Sequence, residues 1–382
     1  MSCEKLLTRV LYEILKHGVS FDVAFSRVCG KTCASGVERE ELYELARSFV
    51  VDYVKLVCIA GKPLKLRKLA KLWRSNPAVE SSEPHCRLSV PKWLYDKLSL
   101  LLGEGEAYKL LESTRTRIWW LRVNTLKASV ESVARSLEAE GVEFTISDKY
   151  PYMVKVTRSP KPVRLLSVVK EFKAIPQDIA SAVVVEALNP EPGDTILDAC
   201  AAPGIKASLI AMLTEGKARI TALDISTRRL LKMKSLMKKL GVPEGTVEYR
   251  VADARDVQLS REYSKALVDA PCSNTGALAK DPSLRVTLKP EKVEYYSALQ
   301  KDILVNIARQ VSTVVYSTCS LMPEEGEEVV MYTAGKLSLK LEKPQVKICN
   351  PGYRAYSIAG QVCRLYPHID ESEGFFISKL TS

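Results

Sequence analysis

The chain has 382 residues, of which 46% are hydrophobic and 26% are charged. This composition excludes a fibrous or disordered protein and predicts a soluble chain of two or three domains. No apolar run approaches the roughly 18 residues of a membrane span, and the first residues lack a secretory pattern, so we expect a cytoplasmic protein without membrane contact. The formal net charge of +11 indicates a polyanionic partner, because lysine and arginine side chains neutralise phosphates.

Residues 1–80 are predicted to form an all-α domain. Apolar residues recur on one face of the first predicted helix, at Leu6, Leu7, Val10, Leu11, Ile14 and Leu15. Residues 40–59 show a second pattern with helical spacing. A basic segment, residues 62–74, contains six basic residues, no acidic residue and an aromatic residue, Trp73. This segment is either a solvated helix face or a nucleic-acid contact, and the pattern favours neither. Residues 75–84 have the composition of a linker.

The rest of the chain divides into two further predicted parts. Residues 85–175 mix helices with strands, including a strand over 118–123, and residues 155–173 form a second basic stretch. Residues 176–382 alternate strands with helices, and long helices are predicted over 227–240 and 290–310. This alternation is typical of a doubly wound α/β sheet.

A loop of small residues, Asp198-Ala-Cys-Ala-Ala-Pro-Gly-Ile-Lys206, follows a predicted strand and opens a helix. Exposed backbone N–H groups and the positive end of the helix dipole favour a ligand at such a turn. Asp224 ends the next strand, where an acidic residue can bind ribose hydroxyls. The loop lacks the repeated glycines of a dinucleotide site, which favours a nucleoside without phosphates, such as S-adenosylmethionine. An ordinary strand-to-helix turn with a solvent-facing aspartate is the equally plausible alternative.

Two cysteines follow two further predicted strands. Cys272 lies in Asp269-Ala-Pro-Cys-Ser273 and Cys319 lies in Tyr316-Ser-Thr-Cys-Ser320, and residues 265–269 and 311–316 read as buried parallel strands. Ligands of such sheets lie outside the carboxyl ends of the strands, so the two thiols converge if the strands are neighbours. The alternative is that each is a buried structural cysteine, which is the commoner fate of a free cysteine.

These motifs, in this order, resemble those of RNA 5-methylcytosine methyltransferases of the RsmB and Sun family. The resemblance includes the loop ending at Lys206, Asp224 with Arg229, Val251-Ala-Asp253 and both cysteine motifs, and it extends over roughly residues 85–382. It implies a Rossmann-like methyltransferase sheet over 176–382, a small RRM-like region over 85–175 and an RNA-binding helical domain over 1–80 that resembles NusB.

The resemblance also implies roles for individual residues. Cys319 resembles the nucleophile that adds to cytosine C6, Cys272 the thiol that assists release, Asp269 the carboxylate beside the base and Lys206 its hydrogen-bond partner. S-adenosylmethionine is the implied cofactor, with its methionine part at the loop, its ribose at Asp224 and its adenine near Asp253. The implied cofactor-binding residues are Cys200, Ala201, Ala202, Pro203, Gly204, Ile205, Lys206, Asp224, Arg229, Asp253 and Asp269.

Three residues depart from the family pattern: Ile205, Ala207 and Asn274. The family usually has glycine at Ile205, and a β-branched residue there would weaken or remodel the loop if the position required a positive φ. Asn274 replaces another glycine, but asparagine tolerates the left-handed conformation. Arg229 either supports the loop or belongs to a basic helix face.

The expected function is cytosine-C5 methylation of RNA by a monomer, with ribosomal RNA preferred and transfer RNA as the alternative. A noncatalytic RNA-binding assembly factor on the same scaffold is the alternative of another class, motivated by Ile205. The ten cysteines are expected to be free thiols, because the cleft chemistry requires them. Cys29 and Cys33 resemble half of a zinc site without a second pair of ligands, so no metal is expected.

Overall fold

The computed structural model describes residues 2–30, 36–61, 65–75, 83–260 and 262–382. The chain forms two compact units, Met1–Arg117 with Ala277–Pro290, and Ile118–Gly276 with Glu291–Ser382. The three-domain division at about residues 80 and 175 remains a prediction. Residues 62–64 of the basic segment, Cys33 and most of the predicted linker lie outside the described residues.

The first unit is helical in its described part, as the sequence predicts. Leu7, Leu11 and Ile14 are buried on one face of the first helix, which begins after the capping residue Ser2 and ends at Gly18 with a φ of 60°. The helices are α1 (Cys3–His17), α2 (Phe21–Cys29), α3 (Gly36–Val51), α4 (Tyr53–Ala60), α5 (Leu66–Arg74), α6 (Pro84–Leu88), α7 (Lys92–Leu102), α8 (Glu104–Ser113) and the later α14 (Leu284–Thr287).

The ring of Trp73 packs within the helical unit rather than facing a nucleic-acid partner. Its Nε1 donates to Asp52 Oδ2 at 3.0 Å, and its ring meets that of Phe49 edge-on at a centroid distance of 5.6 Å. The aromatic residue of the basic segment is therefore a packing residue, while the charged side chains Lys65, Arg67, Lys68 and Lys71 are exposed.

The expectation of free thiols throughout is wrong. Cys58 is bonded to Cys86 in the helical unit, and Cys349 is bonded to Cys363 in the other. Each pair brings sulfurs together from separate segments, which spacing along the chain does not reveal. No helix within the described ranges has the length and apolar character needed to cross a membrane.

The second unit begins with a small antiparallel sheet in the order β2-β3-β1-β4. Leu121 and Val123 of β1 pack against Val133 and Leu137 of α9 in a shared apolar core. This arrangement confirms the expected α+β region and the predicted strand near residue 118. The elements are β1 (Trp119–Val123), α9 (Val130–Ala139), β2 (Glu143–Ile146), β3 (Met153–Arg158), α10 (Ser167–Lys170) and β4 (Ala174–Pro176).

A larger sheet in the order β10-β12-β9-β8-β5-β6-β7, with β11 paired to β12, forms the rest of the unit. The predicted helices at 227 and 290 are present. The elements are α11 (Ile179–Leu188), β5 (Thr195–Asp198), α12 (Ile205–Leu213), β6 (Arg219–Asp224), α13 (Thr227–Lys239), β7 (Val247–Val251), β8 (Lys265–Asp269), α15 (Pro290–Ala308), β9 (Thr313–Thr318), α16 (Glu327–Leu337), β10 (Lys340–Glu342), β11 (Cys363–Leu365), α17 (Pro367–Asp370) and β12 (Phe375–Thr381).

The topology fixes where a ligand can bind. Strands β9, β8, β5, β6 and β7 are parallel, whereas β12 and β10 continue the sheet in antiparallel pairing. The chain moves from β5 to β6 on one side and later adds β8 on the other, so the strand order reverses at β5. Such a switch point opens a crevice at the carboxyl ends of the strands.

Candidate active site

The loop after β5 packs closely against α13 at Gly204. Gly204 has a φ of 100°, and a Cβ atom there would lie 2.6 Å from side-chain atoms of both Met233 and Met237, so both conformation and space require glycine. Ile205 is the first residue of α12 and has helical backbone angles, since it is absent from the residues with positive φ. The backbone at Ile205 therefore does not need the positive φ that a β-branched residue disfavours.

Arg229 supports this loop from α13. Its guanidinium donates to the carbonyl oxygen of Ala202 and lies 3.1 Å from Asp224 Oδ2, so it links the loop to the end of β6. Asp224 also accepts from the backbone N–H of Ser226 at 2.9 Å. Asp224 is only 3% exposed, so it is not the solvent-facing aspartate of the alternative interpretation.

Asp253 follows β7 at the same edge of the sheet. Its hydrogen bonds are local, with Arg255 Nη2 at 2.6 Å from Oδ2 and the Arg255 backbone N–H at 3.0 Å from Oδ1. The hydrogen bonds from Arg255 lower the pKa of Asp253 despite partial burial.

Lys206 and Asp269 form the charged pair of the crevice. Lys206 Nζ lies 2.6 Å from Asp269 Oδ2, and Ser317 Oγ donates to Oδ1 at 2.8 Å. Lys206 Nζ also lies 5.3 Å from the centroid of the Phe375 ring, a distance suited to cation–π attraction. Residues of α12 and β9 thus hold the carboxylate at the end of β8, and Phe375 of β12 contacts the lysine.

The two thiols converge, as the prediction from neighbouring strands requires. Strands β8 and β9 pair in parallel, and Cys272 Sγ lies 3.3 Å from Cys319 Sγ. Both are free cysteines, with Cys272 buried and Cys319 partly exposed. The hydrogen bond to Cys319, burial and the nearby Glu325 carboxylate raise the pKa of the Cys272 thiol, so Cys272 keeps its proton at neutral pH.

Glu325 binds the loop that contains Cys272 and the loop that contains Cys319, and the sequence motifs did not indicate this role. Its Oε1 accepts from the Ser273 backbone N–H at 2.8 Å and from Gln300 Nε2 at 3.2 Å, while its Oε2 accepts from the Ser273 and Ser320 hydroxyls. All four acceptor positions of the fully buried carboxylate are filled by donors. Because Ser273 follows Cys272 and Ser320 follows Cys319, one side chain fixes the separation of the two sulfurs.

A glycine pair closes the same region. Gly276 N donates to Cys319 O at 3.0 Å, and Gly374 N donates to Gly276 O at 2.9 Å. A Cβ atom at Gly276 would lie 2.0 Å from Gly374 O, so the contact between the thiol loop and the start of β12 excludes any side chain.

Asp198 lies at the end of β5, and the sequence motifs predicted no role for it beyond its place at the start of the loop. Asp198 is 1% exposed, and neither carboxylate oxygen has a partner in good hydrogen-bond geometry among the described residues, although the backbone of Cys200 lies near enough to lower the pKa of the group. Burial, reinforced by the charge of Asp269 and opposed by Lys206, raises its pKa to about 7. A carboxyl group this costly to bury is a mark of a functional cleft.

The structure joins most predicted residues into two contiguous groups. Arg229 links Asp224 to the loop residue Ala202, and Lys206 links that loop to Asp269. Cys272 and Cys319 form the other pair. Asp253 contacts only its neighbour Arg255 in the interactions above. Within the described chain, Cys58, His85 and Cys86 are the group able to hold a metal ion, but the two cysteines are disulfide-bonded.

The strand order, with its switch point at β5, is that of a Rossmann-like methyltransferase sheet. The chain belongs to the 16S rRNA methyltransferase RsmB/F family, whose family model matches residues 185–381. A second family model, described as an RsmF/B-like ferredoxin-like domain, matches residues 90–164.

Two relatives carry different RNA substrates in their names. The "Probable ribosomal RNA small subunit methyltransferase B" of Bacillus subtilis is 30% identical over 76% of this chain and 66% of its own length. The "tRNA (cytosine(72)-C(5))-methyltransferase" of Pyrococcus horikoshii is 36% identical over 59% of this chain and 58% of its own length. The chain therefore spans less than two thirds of either relative.

Two solved structures share the fold. The crystal structure of PH0851 has a TM-score of 0.82 at 26% identity and covers 100% of this chain and 99% of its own. The structure of NSun6 from Pyrococcus horikoshii with SFG has a TM-score of 0.68 at 26% identity and covers 76% of this chain and 98% of its own.

Proposed function

We propose that this chain is an S-adenosylmethionine-dependent RNA cytosine-C5 methyltransferase that acts through a covalent cysteine adduct, with ribosomal RNA as its substrate. The observation that carries the proposal is the pair of free thiols 3.3 Å apart, next to the Lys206–Asp269 pair at the ends of parallel strands. Membership of the RsmB/F family supports the same activity.

The crevice has groups suited to the cofactor. Asp224 can accept hydrogen bonds from ribose hydroxyls, and the loop that contains Gly204 leads into the amino-terminal end of α12. When bound, the cofactor supplies an electrophilic methyl group. The similar NSun6 structure contains SFG, an analogue of S-adenosylmethionine, which supports this choice. Arg229 would orient the loop by its bonds to Ala202 and Asp224.

The thiols have different roles in the proposed reaction. Cytosine C5 is a poor nucleophile until a thiolate adds to C6 and converts the ring to an enamine. Cys272 is poorly suited to this attack, because its raised pKa keeps it protonated. We assign the attack to Cys319, which is partly exposed, because it resembles the nucleophile of the family. Asp269 accepts a hydrogen bond from Ser317, two residues before Cys319. Its carboxylate can stabilise protonation of the cytosine ring at N3 as the ring gains charge.

The adduct must then be released. After C5 receives the methyl group, a base removes the C5 proton, the bond between C6 and the Cys319 sulfur breaks, and its electron pair returns to sulfur. The neutral Cys272 thiol, 3.3 Å away, can give its proton to the departing sulfur, and it regains a proton from the base that took the C5 proton. This assignment agrees with the roles that the family resemblance implies.

An adduct assay tests the mechanism. Cys272→Ala should accumulate a covalent protein–RNA complex that survives denaturing electrophoresis, whereas Cys319→Ala and the double variant should form none, because release follows addition on one intermediate. Adduct with Cys319→Ala alone would make Cys272 the nucleophile. Undiminished methylation in both single variants would remove the covalent mechanism.

Transfer RNA is the second candidate substrate, favoured by the 36% identical relative named for tRNA. Ribosomal RNA is preferred because the matching family model and the Bacillus relative are both named for rRNA. Bisulfite sequencing of both RNA classes, from cells with and without the gene, distinguishes them. A methylated cytosine lost only from tRNA would reverse the preference.

The noncatalytic alternative was motivated by Ile205, but Ile205 begins α12 with ordinary helical angles. This observation removes the reason for that alternative. It remains testable with Cys319→Ala. If the variant restores ribosome assembly in cells that lack the wild-type protein, and no RNA cytosine depends on the wild-type protein, the scaffold hypothesis is correct.

A further inference from the structure

Asn274 places a side-chain amide against both thiols. Its Oδ1 lies 2.9 Å from Cys319 Sγ and 3.6 Å from Cys272 Sγ. The residue has a φ of 62°, a left-handed conformation that asparagine tolerates and glycine favours. No other group in the described parts of the chain hydrogen-bonds to this amide. Its contacts therefore lie with the reacting sulfur atoms.

The loop does not need this side chain to keep its shape. Ser273 on one side is anchored to the buried Glu325 by its backbone N–H at 2.8 Å, and Gly276 on the other donates to Cys319 O at 3.0 Å. Thr275 Oγ1 lies 3.0 Å from Ser320 Oγ and accepts from the Leu321 backbone N–H at 2.8 Å. These bonds fix the backbone at 273, 275 and 276 independently of the Asn274 amide.

An amide can serve a thiol and a thiolate from the same position. The oxygen accepts from an S–H group, and a half turn about χ2 brings the NH2 group to the same place, where it donates to S⁻. The turn also gives up the longer contact of Oδ1 with Cys272 Sγ at 3.6 Å, and it breaks no further hydrogen bond to a described residue. A donor to sulfur favours the thiolate, whereas a fixed acceptor would oppose it.

We propose that the Asn274 amide is a catalytic group that stabilises the thiolate of Cys319 by turning its NH2 group toward the sulfur. The inference rests on the proposed function, in which Cys319 is the nucleophile. The Cys319 proton leaves to solvent as the thiolate forms, and the same amide oxygen accepts from Cys319 again once the adduct has been released. The glycine that usually stands here in the family has no side chain to do this.

Two variants test the proposal. Asn274→Gly keeps the backbone conformation and removes the amide, whereas Asn274→Asp keeps the shape and replaces the donor with a second acceptor. Alkylation of Cys319 by iodoacetamide, measured by peptide mass spectrometry without RNA or cofactor, reports its thiolate fraction near neutral pH. We expect the rate to fall in the order wild type, Asn274→Gly, Asn274→Asp, with the aspartate variant at least about tenfold slower, as for loss of a hydrogen bond to a charged group.

Asn189 provides a matched control. It also has a positive φ, of 49°, at the end of α11, and its exposed amide donates to Glu191 rather than to a sulfur. Asn189→Gly and Asn189→Asp should leave the alkylation rate of Cys319 unchanged. Thermal unfolding of all four variants separates a loss of fold from a loss of reactivity, and rates in a variant that melts below the assay temperature are measured at a lower one.

The outcomes separate this inference from the proposed function. Wild-type alkylation in both Asn274 variants would overturn the role of the amide, whatever methylation does. Slower alkylation in Asn274→Asp together with full methylation by Cys319→Ala would support the amide as a partner of the thiolate and overturn Cys319 as the nucleophile.

Discussion

Asp198→Asn should change how stability depends on pH. The carboxyl group is buried at the end of β5, and its pKa in the folded protein is raised to about 7 from an ordinary value of 3.8. A raised pKa means that the folded state binds the proton more tightly than the unfolded state does. The stabilisation is therefore complete below the ordinary pKa and is lost as pH rises through about 7.

The expected size follows from the shift. Each pH unit between the two pKa values costs about 1.4 kcal/mol of unfolding free energy, and the curve flattens above the folded pKa. From about pH 5 to about pH 8 the wild-type protein should lose roughly 3 kcal/mol through this group alone. Asparagine resembles the protonated acid in shape and charge, so the variant should lack this part of the pH dependence.

Urea unfolding at several pH values between these limits measures the difference between the two proteins. Asp194→Asn is the control, because Lys265 and Ser264 hold the pKa of Asp194 below its ordinary value in spite of its burial. The stabilisation from Asp194 is lost only as pH falls through its low folded pKa, so this variant should shift the curve without changing its slope above pH 5. Parallel wild-type and Asp198→Asn curves would refute the reasoning.

Three further predictions concern the cofactor, the RNA and the core. Asp224→Asn should weaken S-adenosylmethionine binding by about 1.5 to 3 kcal/mol in calorimetry, because a charged acceptor is lost; unchanged affinity would place the ribose elsewhere. Four exposed basic residues at the start of α5 and just before it can be replaced by glutamine: Lys65, Arg67, Lys68 and Lys71. This variant should bind RNA more weakly, with a salt slope reduced by about 0.7 per lost phosphate contact. Unchanged binding would mean that this surface is only solvated. Glu327→Gln should destabilise the fold by about 3 to 5 kcal/mol in urea unfolding, because Glu327 and Arg364 form a fully buried pair with Nε to Oε1 at 2.8 Å. A loss below about 1 kcal/mol would mean that the neutral amide still satisfies Arg364.

Sequence patterns located the site because each motif lies where a strand ends. Strand β8 ends at Asp269 and β9 ends just before Cys319, so parallel pairing alone brings the motifs together. The pattern around Trp73 left a solvated face and a nucleic-acid contact equally open, because a basic amphipathic helix can use its aromatic residue for packing. Burial, not sequence, decides between these uses.

Other features depend on long-range contacts that no local pattern contains. Glu325 lies in a stretch of acidic residues that reads as a solvated turn, yet it is buried beneath both thiol loops. The raised pKa of Asp198 arises from its burial beside Asp269 and Lys206, which come from different strands and loops. The disulfides likewise follow from tertiary proximity.

The contact between Gly276 and Gly374 sets an order for the maturation of the cleft. Both cysteines are synthesised before Gly374 and β12, because translation proceeds from the amino terminus. Until β12 pairs with β9, the thiol loop lacks the backbone that fits against Gly276. A nascent chain thus exposes its reactive cysteines before it can position them, and pairing of β12 couples completion of the sheet to assembly of the site.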